Sequence, residues 1–187
     1  MKNVKAEKFN EKASNPKSKP DEVIAALELK RGQTIADLGC GGGYFSLRFA
    51  EEAGESGRVY AVDANPGFLE FVSDAAEEKG FGNVETILAD EKGFSLPEKV
   101  DLVFARNAYH HLHDRVEYFK KLKKKLKRGG RIAVVEYDGG GFFSFRRLFG
   151  HYVPEKTIEN EMTEAGYGLV ERFGFLEKQS FTLYSSN

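Results

Sequence analysis

The chain has 187 residues, 28 Lys and Arg against 29 Asp and Glu, a formal net charge of −1 and a single cysteine, Cys40. That length accommodates one domain with its own core, and the near-neutral balance supplies no global field to hold nucleic acid or an acidic membrane. One thiol excludes an internal disulfide or multi-thiolate metal site, and with no signal peptide or long apolar run the sequence predicts a cytoplasmic protein without a membrane span, a single domain over 1–187.

Residues 1 to 30 are polar and carry Pro16 and Pro20. Val23, Ile24 and Leu27 follow helical spacing behind Pro20-Asp21-Glu22, a proline and two acids suited to a helix start, so a helix is predicted over 20–29. Before it lies an arm, read either as a mobile lid or as a disordered tail over 1–15.

From residue 33 short β-rich runs alternate with helical patterns, the signature of βαβ units and a parallel sheet. The runs are 34–38, 58–63, 84–88, 100–105 and 131–137, with helices predicted at 44–53, 67–79 and 112–128 and Gly54, Gly80 and Gly129 at their ends. After Tyr137 comes a connection rich in glycine and phenylalanine, 139–150, then a helix over 154–165. The last two β runs, 169–175 and 180–184, are separated by Leu176-Glu177-Lys178-Gln179, a gap that permits only an antiparallel hairpin.

The chemistry concentrates at the first strand-to-helix turn, Asp37-Leu38-Gly39-Cys40-Gly41-Gly42-Gly43. Glycines there let a ligand approach the backbone and aim helix N–H groups at it. The second run ends at Asp63, about 20 residues on, where a carboxylate can accept two ribose hydroxyls. Its competing role, capping the helix near Pro66, can be taken by Asn65. A dinucleotide fingerprint would place glycine at position 44, where Tyr44 stands, and Asp37 suits a cationic amine rather than a pyrophosphate.

Taken with Ala89-Asp90 and Leu126-Lys127-Arg128-Gly129-Gly130-Arg131, this order resembles the class I S-adenosylmethionine-dependent methyltransferases over residues 20–187. The resemblance implies an α/β, doubly wound Rossmann-like sheet of seven strands in the order 3-2-1-4-5-7-6, strand 7 antiparallel. It implies S-adenosylmethionine as cofactor and S-adenosylhomocysteine as product. Asp37, Gly39, Cys40, Gly41 and Gly43 would hold the methionine moiety, Asp63 and Ala64 would flank the ribose, and Leu88, Ala89, Asp90 and Glu91 would border the adenine. Residues 31–137 then form the cofactor-binding core, and 138–187 the acceptor side.

The fourth run delivers Arg106-Asn107-Ala108-Tyr109-His110-His111 to the ligand end of the sheet. Arg106 and Asn107 are expected to touch the cofactor and Tyr109 the acceptor. Either His110 or His111 can serve as a general base, because imidazole titrates near neutrality; packing or helix capping is the competing role. Adjacent histidines on a turn seldom converge on one ion, so no metal is expected. Tyr137, Phe142, Phe145, His151 and Tyr152 are expected to line a pocket for an apolar or aromatic small molecule, the segment also fitting a helix packed on the sheet.

Two subfamilies lack their marks here: Asn107-Ala108-Tyr109 has no paired prolines of the kind found in nucleic-acid amino-methyltransferases, and the acceptor cysteines of arsenic methyltransferases are missing. The lysines of 120–125 flank an apolar stripe, Val116, Phe119, Leu122 and Leu126, and so read as a solvated face rather than a nucleic-acid patch. The expected activity is metal-independent methyl transfer to a small molecule by a monomer or homodimer. A non-catalytic S-adenosylmethionine-binding protein or partner subunit, and a nicotinamide-dependent oxidoreductase, stay open as alternatives.

Overall fold

The computed structural model describes residues 3–90, 93–138 and 152–186. Among these, six α-helices, α1 (Val4–Ser14), α2 (Pro20–Ala26), α3 (Tyr44–Ala53), α4 (Pro66–Glu78), α5 (Arg115–Lys123) and α6 (Glu155–Glu164), surround seven strands. The strands are β1 (Thr34–Leu38), β2 (Arg58–Asp63), β3 (Val84–Leu88), β4 (Val100–Arg106), β5 (Leu126–Tyr137), β6 (Tyr167–Phe173) and β7 (Gln179–Ser186). They form one sheet in the order β3-β2-β1-β4-β5-β7-β6, parallel except for β7, which runs antiparallel to both β5 and β6.

The sheet's centre is buried on both faces, and β1 is buried along its whole length, with Thr34 and Asp37 as its polar residues. Alternation along the strands divides the core in two. Ile35, Leu102, Phe104, Ala133 and Val135 meet Phe45 and Phe49 of α3 and Val23, Ile24 and Leu27 around α2; Phe45 and Phe49 lie 5.0 and 5.1 Å from the ring of Phe104. On the opposite face Ala36, Val103, Ala105, Ile132 and Val134 meet Phe119 and Leu122 of α5 and Ile158 and Met162 of α6.

Three expectations are corrected. The arm is neither a tail nor a loose lid from residue 4 onward: it is helix α1, whose first turn is capped by the Asn3 side chain accepting from the Ala6 amide at 3.1 Å. The helix expected over 112–128 ends at Lys123, and its last apolar residue, Leu126, pairs with Val100 as the first residue of β5. Gly129 therefore sits inside β5 at φ +74°, not at a helix end, next to the shift in β4–β5 register between Val100 and Leu102. The helix expected over 20–29 stops at Ala26, whereas α4 and α6 lie within a residue of their predicted bounds. No helix among the described residues is long and apolar enough to cross a membrane.

Candidate functional site

The carboxyl ends of β1, β2 and β4 converge on the glycine turn. Gly39 is held there by packing as well as by its φ of +72°: a Cβ on it would stand 2.6 Å from that of Ala108, so the turn and the segment after β4 approach as closely as they do only because Gly39 lacks a side chain. Gly43, at φ +78°, forms the N-cap of α3, and a Cβ on it would meet Val72 of α4 at 2.6 Å. A glycine cap offers no side-chain acceptor. Asn10 of α1 supplies one, its Oδ1 accepting from the Tyr44 amide at 3.1 Å while its Nδ2 donates to the Gly42 carbonyl at 2.8 Å.

Asp63 fixes the same turn from β2. Its Oδ2 accepts from the Gly41 amide at 3.0 Å and its Oδ1 from the Asn65 amide at 2.9 Å. The helix cap is Asn65, which accepts from Gly67 at 2.9 Å. Asp63 is thus not spent as a cap, and its half-buried carboxylate keeps lone pairs for a ligand. Beside it Ala64 is exposed. Beyond β3, Leu88 is 60% exposed, an apolar surface open to a flat ring; Ala89 is tied to β2 by its amide on the Asp63 carbonyl at 2.9 Å, and Asp90 is exposed. Glu91 lies outside the described residues.

Two ionisable groups of opposite sign, buried Asp37 and half-buried Arg106, stand where β1 and β4 end. Asp37 accepts from the Ser46 hydroxyl at 2.5 Å, and burial pushes its carboxyl up to about 7, with Asp63 adding to the rise and Arg106 opposing it. The Arg106 guanidinium lies over the Phe45 ring at 5.1 Å, its buried Nε without a hydrogen-bond partner, and burial lowers its pKa. Neither is ion-paired with a described residue. Asp37 and Arg106 thereby fit the ammonium and carboxylate of an amino-acid moiety, and Asp63 with Leu88 fits a ribose and its base. The donor set suits S-adenosylmethionine. Cys40 is a free thiol that burial holds well above its usual range, so it supplies no thiolate.

After β4 the chain turns through Asn107 in the left-handed region, φ +53°, a conformation that costs an asparagine less than most residues. Its amide donates to the Val135 carbonyl at 2.8 Å, and its Oδ1 accepts from Gln179 of β7 at 2.7 Å. Tyr109 is corrected from acceptor pocket to core. It has no exposed surface, stacks on Phe119 at 5.4 Å and donates its hydroxyl to Glu161 at 2.7 Å, an oxygen shared with Arg115.

His110 is different in kind. Its ring Nδ1 lies 3.0 Å from Oε2 of Glu136, and its amide donates to the same oxygen at 3.2 Å. Glu136, near the end of β5, is fully buried, and its Oε1 accepts from the Tyr137 amide at 2.9 Å. His111 is exposed, its ring 4.0 Å from that of His110. Tyr137 and Tyr152 are half-buried, and Phe142, Phe145 and His151 lie outside the described residues. Sequence reasoning missed Ser46, Asn10 and Glu136. Only Glu136 left a signal, an acid at the end of the apolar run Ile132-Ala133-Val134-Val135.

Residues 29–177 match the methyltransferase domain family. Aklanonic acid methyltransferase DauC of Streptomyces sp. (strain C5) is 29% identical over 141 residues, 74% of this chain and 64% of the relative. The ubiquinone/menaquinone biosynthesis C-methyltransferase UbiE of Haemophilus ducreyi is 29% identical over 132 residues, 70% of this chain and 51% of the relative. The chain thus spans between half and two thirds of the length of these curated relatives. A solved S-adenosylmethionine-dependent methyltransferase from Aquifex aeolicus superposes with a TM-score of 0.82 at 20% identity, covering 97% of this chain and 98% of that one. The sheet order, the glycine turn answered by acids at neighbouring strand ends, and the domain match over 29–177 lead to one assignment: the chain belongs to the methyltransferase domain family, as a class I, S-adenosylmethionine-dependent member.

Proposed function

We propose that this chain transfers the methyl group of S-adenosylmethionine to a small organic acceptor, with residues 31–137 as its donor-binding core and 138–187 as its acceptor side. The observation that carries the reading is the buried Asp37 carboxyl and the Arg106 guanidinium, not bonded to each other, at the ends of adjacent strands beside the glycine turn. Burial without an ionic partner disfavours the charged form of each group, and a zwitterionic ligand pairs with both at once, its ammonium with Asp37 and its carboxylate with Arg106. The relatives' names, an aklanonic acid methyltransferase and a quinone-biosynthesis C-methyltransferase, support a small organic acceptor, and half-buried Tyr137 and Tyr152 support an apolar or aromatic one.

The donor supplies a methyl group already activated on a sulfonium, so the chain's own task is to align the acceptor and keep water out. Asp37 and Arg106 fix the amino-acid end, and Asp63 the ribose. The segment after β4 presents the acceptor side.

Calorimetric titration with S-adenosylhomocysteine tests the donor site. Asp63→Asn removes the charge while retaining an acceptor for one amide, and loss of a charge-assisted ribose contact of about 1.5 to 3 kcal/mol predicts affinity lower by roughly 10- to 150-fold. Wild-type affinity in this variant, or tight NAD binding without adenosylhomocysteine binding, would reject the assignment. Transfer of labelled methyl to a metabolite pool separates an enzyme from a non-catalytic binding protein.

A further inference from the structure

We infer that Gln179, the first residue of β7, is a positioning residue for donor binding: it holds Asn107 in its left-handed turn and thereby sets Arg106 and Ala108 against the glycine turn. The inference rests on the donor-site reading above and adds to it a residue of the terminal hairpin, outside the donor-binding core.

The bond joins strands that are not neighbours. β5 lies between β4 and β7 in the sheet, yet Gln179 Nε2 donates to Asn107 Oδ1 at 2.7 Å from a residue 72 positions away in sequence. Alternation gives the side chain its direction. Gln179 shares the face of Phe181 and Leu183, which is also the face of Phe104, and Arg106 continues that face at the end of β4, over the ring of Phe45. The hairpin does not require the tie, because the ladder from Arg131–Ser185 to Tyr137–Gln179 already fixes β7. The exit from β4 does require it. Asn107 stands at φ +53°, a region that L-residues leave readily for the extended one unless they are held there. Its amide on the Val135 carbonyl fixes one side of the turn, and its side chain on Gln179 fixes the other.

Both neighbours of Asn107 depend on that turn. Ala108 is 7% exposed and lies so close to Gly39 that a Cβ there would stand 2.6 Å from its own. Arg106 has a buried Nε without a hydrogen-bond partner and rests on Phe45 at 5.1 Å, a contact that attracts a guanidinium without fixing its rotation. Its place near Asp37, whose ionised form it favours, is therefore set by the backbone that carries it. Rotation at Asn107 turns the guanidinium away from a ligand carboxylate and moves Ala108 off Gly39. The adenosine end, assigned to Asp63 and Leu88 on β2 and β3, does not feel that rotation.

The test sets S-adenosylhomocysteine against 5′-methylthioadenosine, which keeps the adenosine and the thioether sulfur but has neither ammonium nor carboxylate. Gln179→Met keeps the side chain's length and removes its donor. Calorimetric titration of the full chain carrying it should show adenosylhomocysteine affinity lower by roughly tenfold and methylthioadenosine affinity within about twofold of wild type. Asn107→Gly keeps access to the left-handed region and removes the acceptor. In that background Gln179→Met should cost less than about twofold more, as a double-mutant cycle requires of two residues acting through one bond. Should the Met variant fold poorly, Gln179→Asn, a methylene too short to reach, reports the same split with its amide retained. Equal losses on both ligands would show that Gln179 only braces the sheet and would overturn the inference. So would unchanged adenosylhomocysteine affinity, or an undiminished loss in the Asn107→Gly background. Wild type that binds neither ligand would instead reject the donor-site reading beneath it, and wild type that binds both equally would remove Arg106 from that reading and the inference with it.

Discussion

A carboxyl group pushed to about 7 by burial is at rest when protonated and becomes an anion readily only against a cation, which is the condition a ligand ammonium provides at Asp37. The folded value lies above the unfolded 3.8, so the folded state holds this proton more tightly, and the group's contribution to stability is full below about 4 and lost as pH rises through about 7. Asp37→Asn removes that dependence. The variant should match wild type near pH 4 and exceed it by on the order of 2 kcal/mol at pH 8, less than the full shift implies because attraction to Arg106 is also removed. Urea unfolding at the two pH values checks this, and parallel pH dependences would refute it. The same linkage predicts that adenosylhomocysteine binding near pH 6 releases about one proton, read from calorimetry in buffers of different ionisation enthalpy. Asp37 and Asp63 were legible from their spacing to the glycines, and Asn65 was legible as the competing cap. Tyr109 was not, because its position after β4 is the same whether the ring turns toward a ligand or toward Phe119 and Glu161. Ser46 looks like any small residue on an amphipathic helix until the fold sets it against Asp37.

At the scale of elements, Asn10 ties α1 to the first turn of α3. Asn10 caps α3 from outside its own chain segment, and Phe9 fills the space beside Gly41, where a Cβ would meet its ring at 3.1 Å. Replacing Asn10 by Ala removes both bonds and leaves the first amide of α3 without its acceptor. The expected cost is about 1 to 2 kcal/mol, with faster hydrogen exchange confined to Gly42–Phe45 and weaker adenosylhomocysteine binding. Unchanged exchange there would mean that α1 merely rests on the turn. This helix escaped sequence reading because only Ala6 and Ala13 of its eleven residues are buried; its attachment lies in two asparagines and an exposed phenylalanine, which carry no period. The opposite error occurred at 112–128, where a lysine-rich, helix-favouring run with Leu126 in phase continued the pattern past Lys123. Pairing of Leu126 with Val100 overrode local propensity, as sheet contacts routinely do.

The molecule as a whole was the most legible level, because alternation of strand and helix, glycine stops and the short final connection constrain topology far more tightly than any one residue. What that topology adds is a candidate site at the ends of four neighbouring strands, β1 to β4, while β6 forms the far edge of the sheet. Ligand binding should therefore stabilise unevenly. Adenosylhomocysteine at a hundredfold excess over its Kd adds about 2.7 kcal/mol to global stability, a Tm rise of roughly 5 to 10 °C for a chain of this size. Hydrogen exchange would show where that energy is made: amides of Gly39–Tyr44 and Asp63–Asn65 exchange by local opening of the turn and should slow strongly. Those of Leu169–Arg172, on the edge strand with Val170 54% exposed, exchange by fraying that no ligand at the far end of the sheet opposes. Strong protection of β6 with none at the glycine turn would place the ligand elsewhere, and with it the role assigned to Asp37, Asp63 and Arg106.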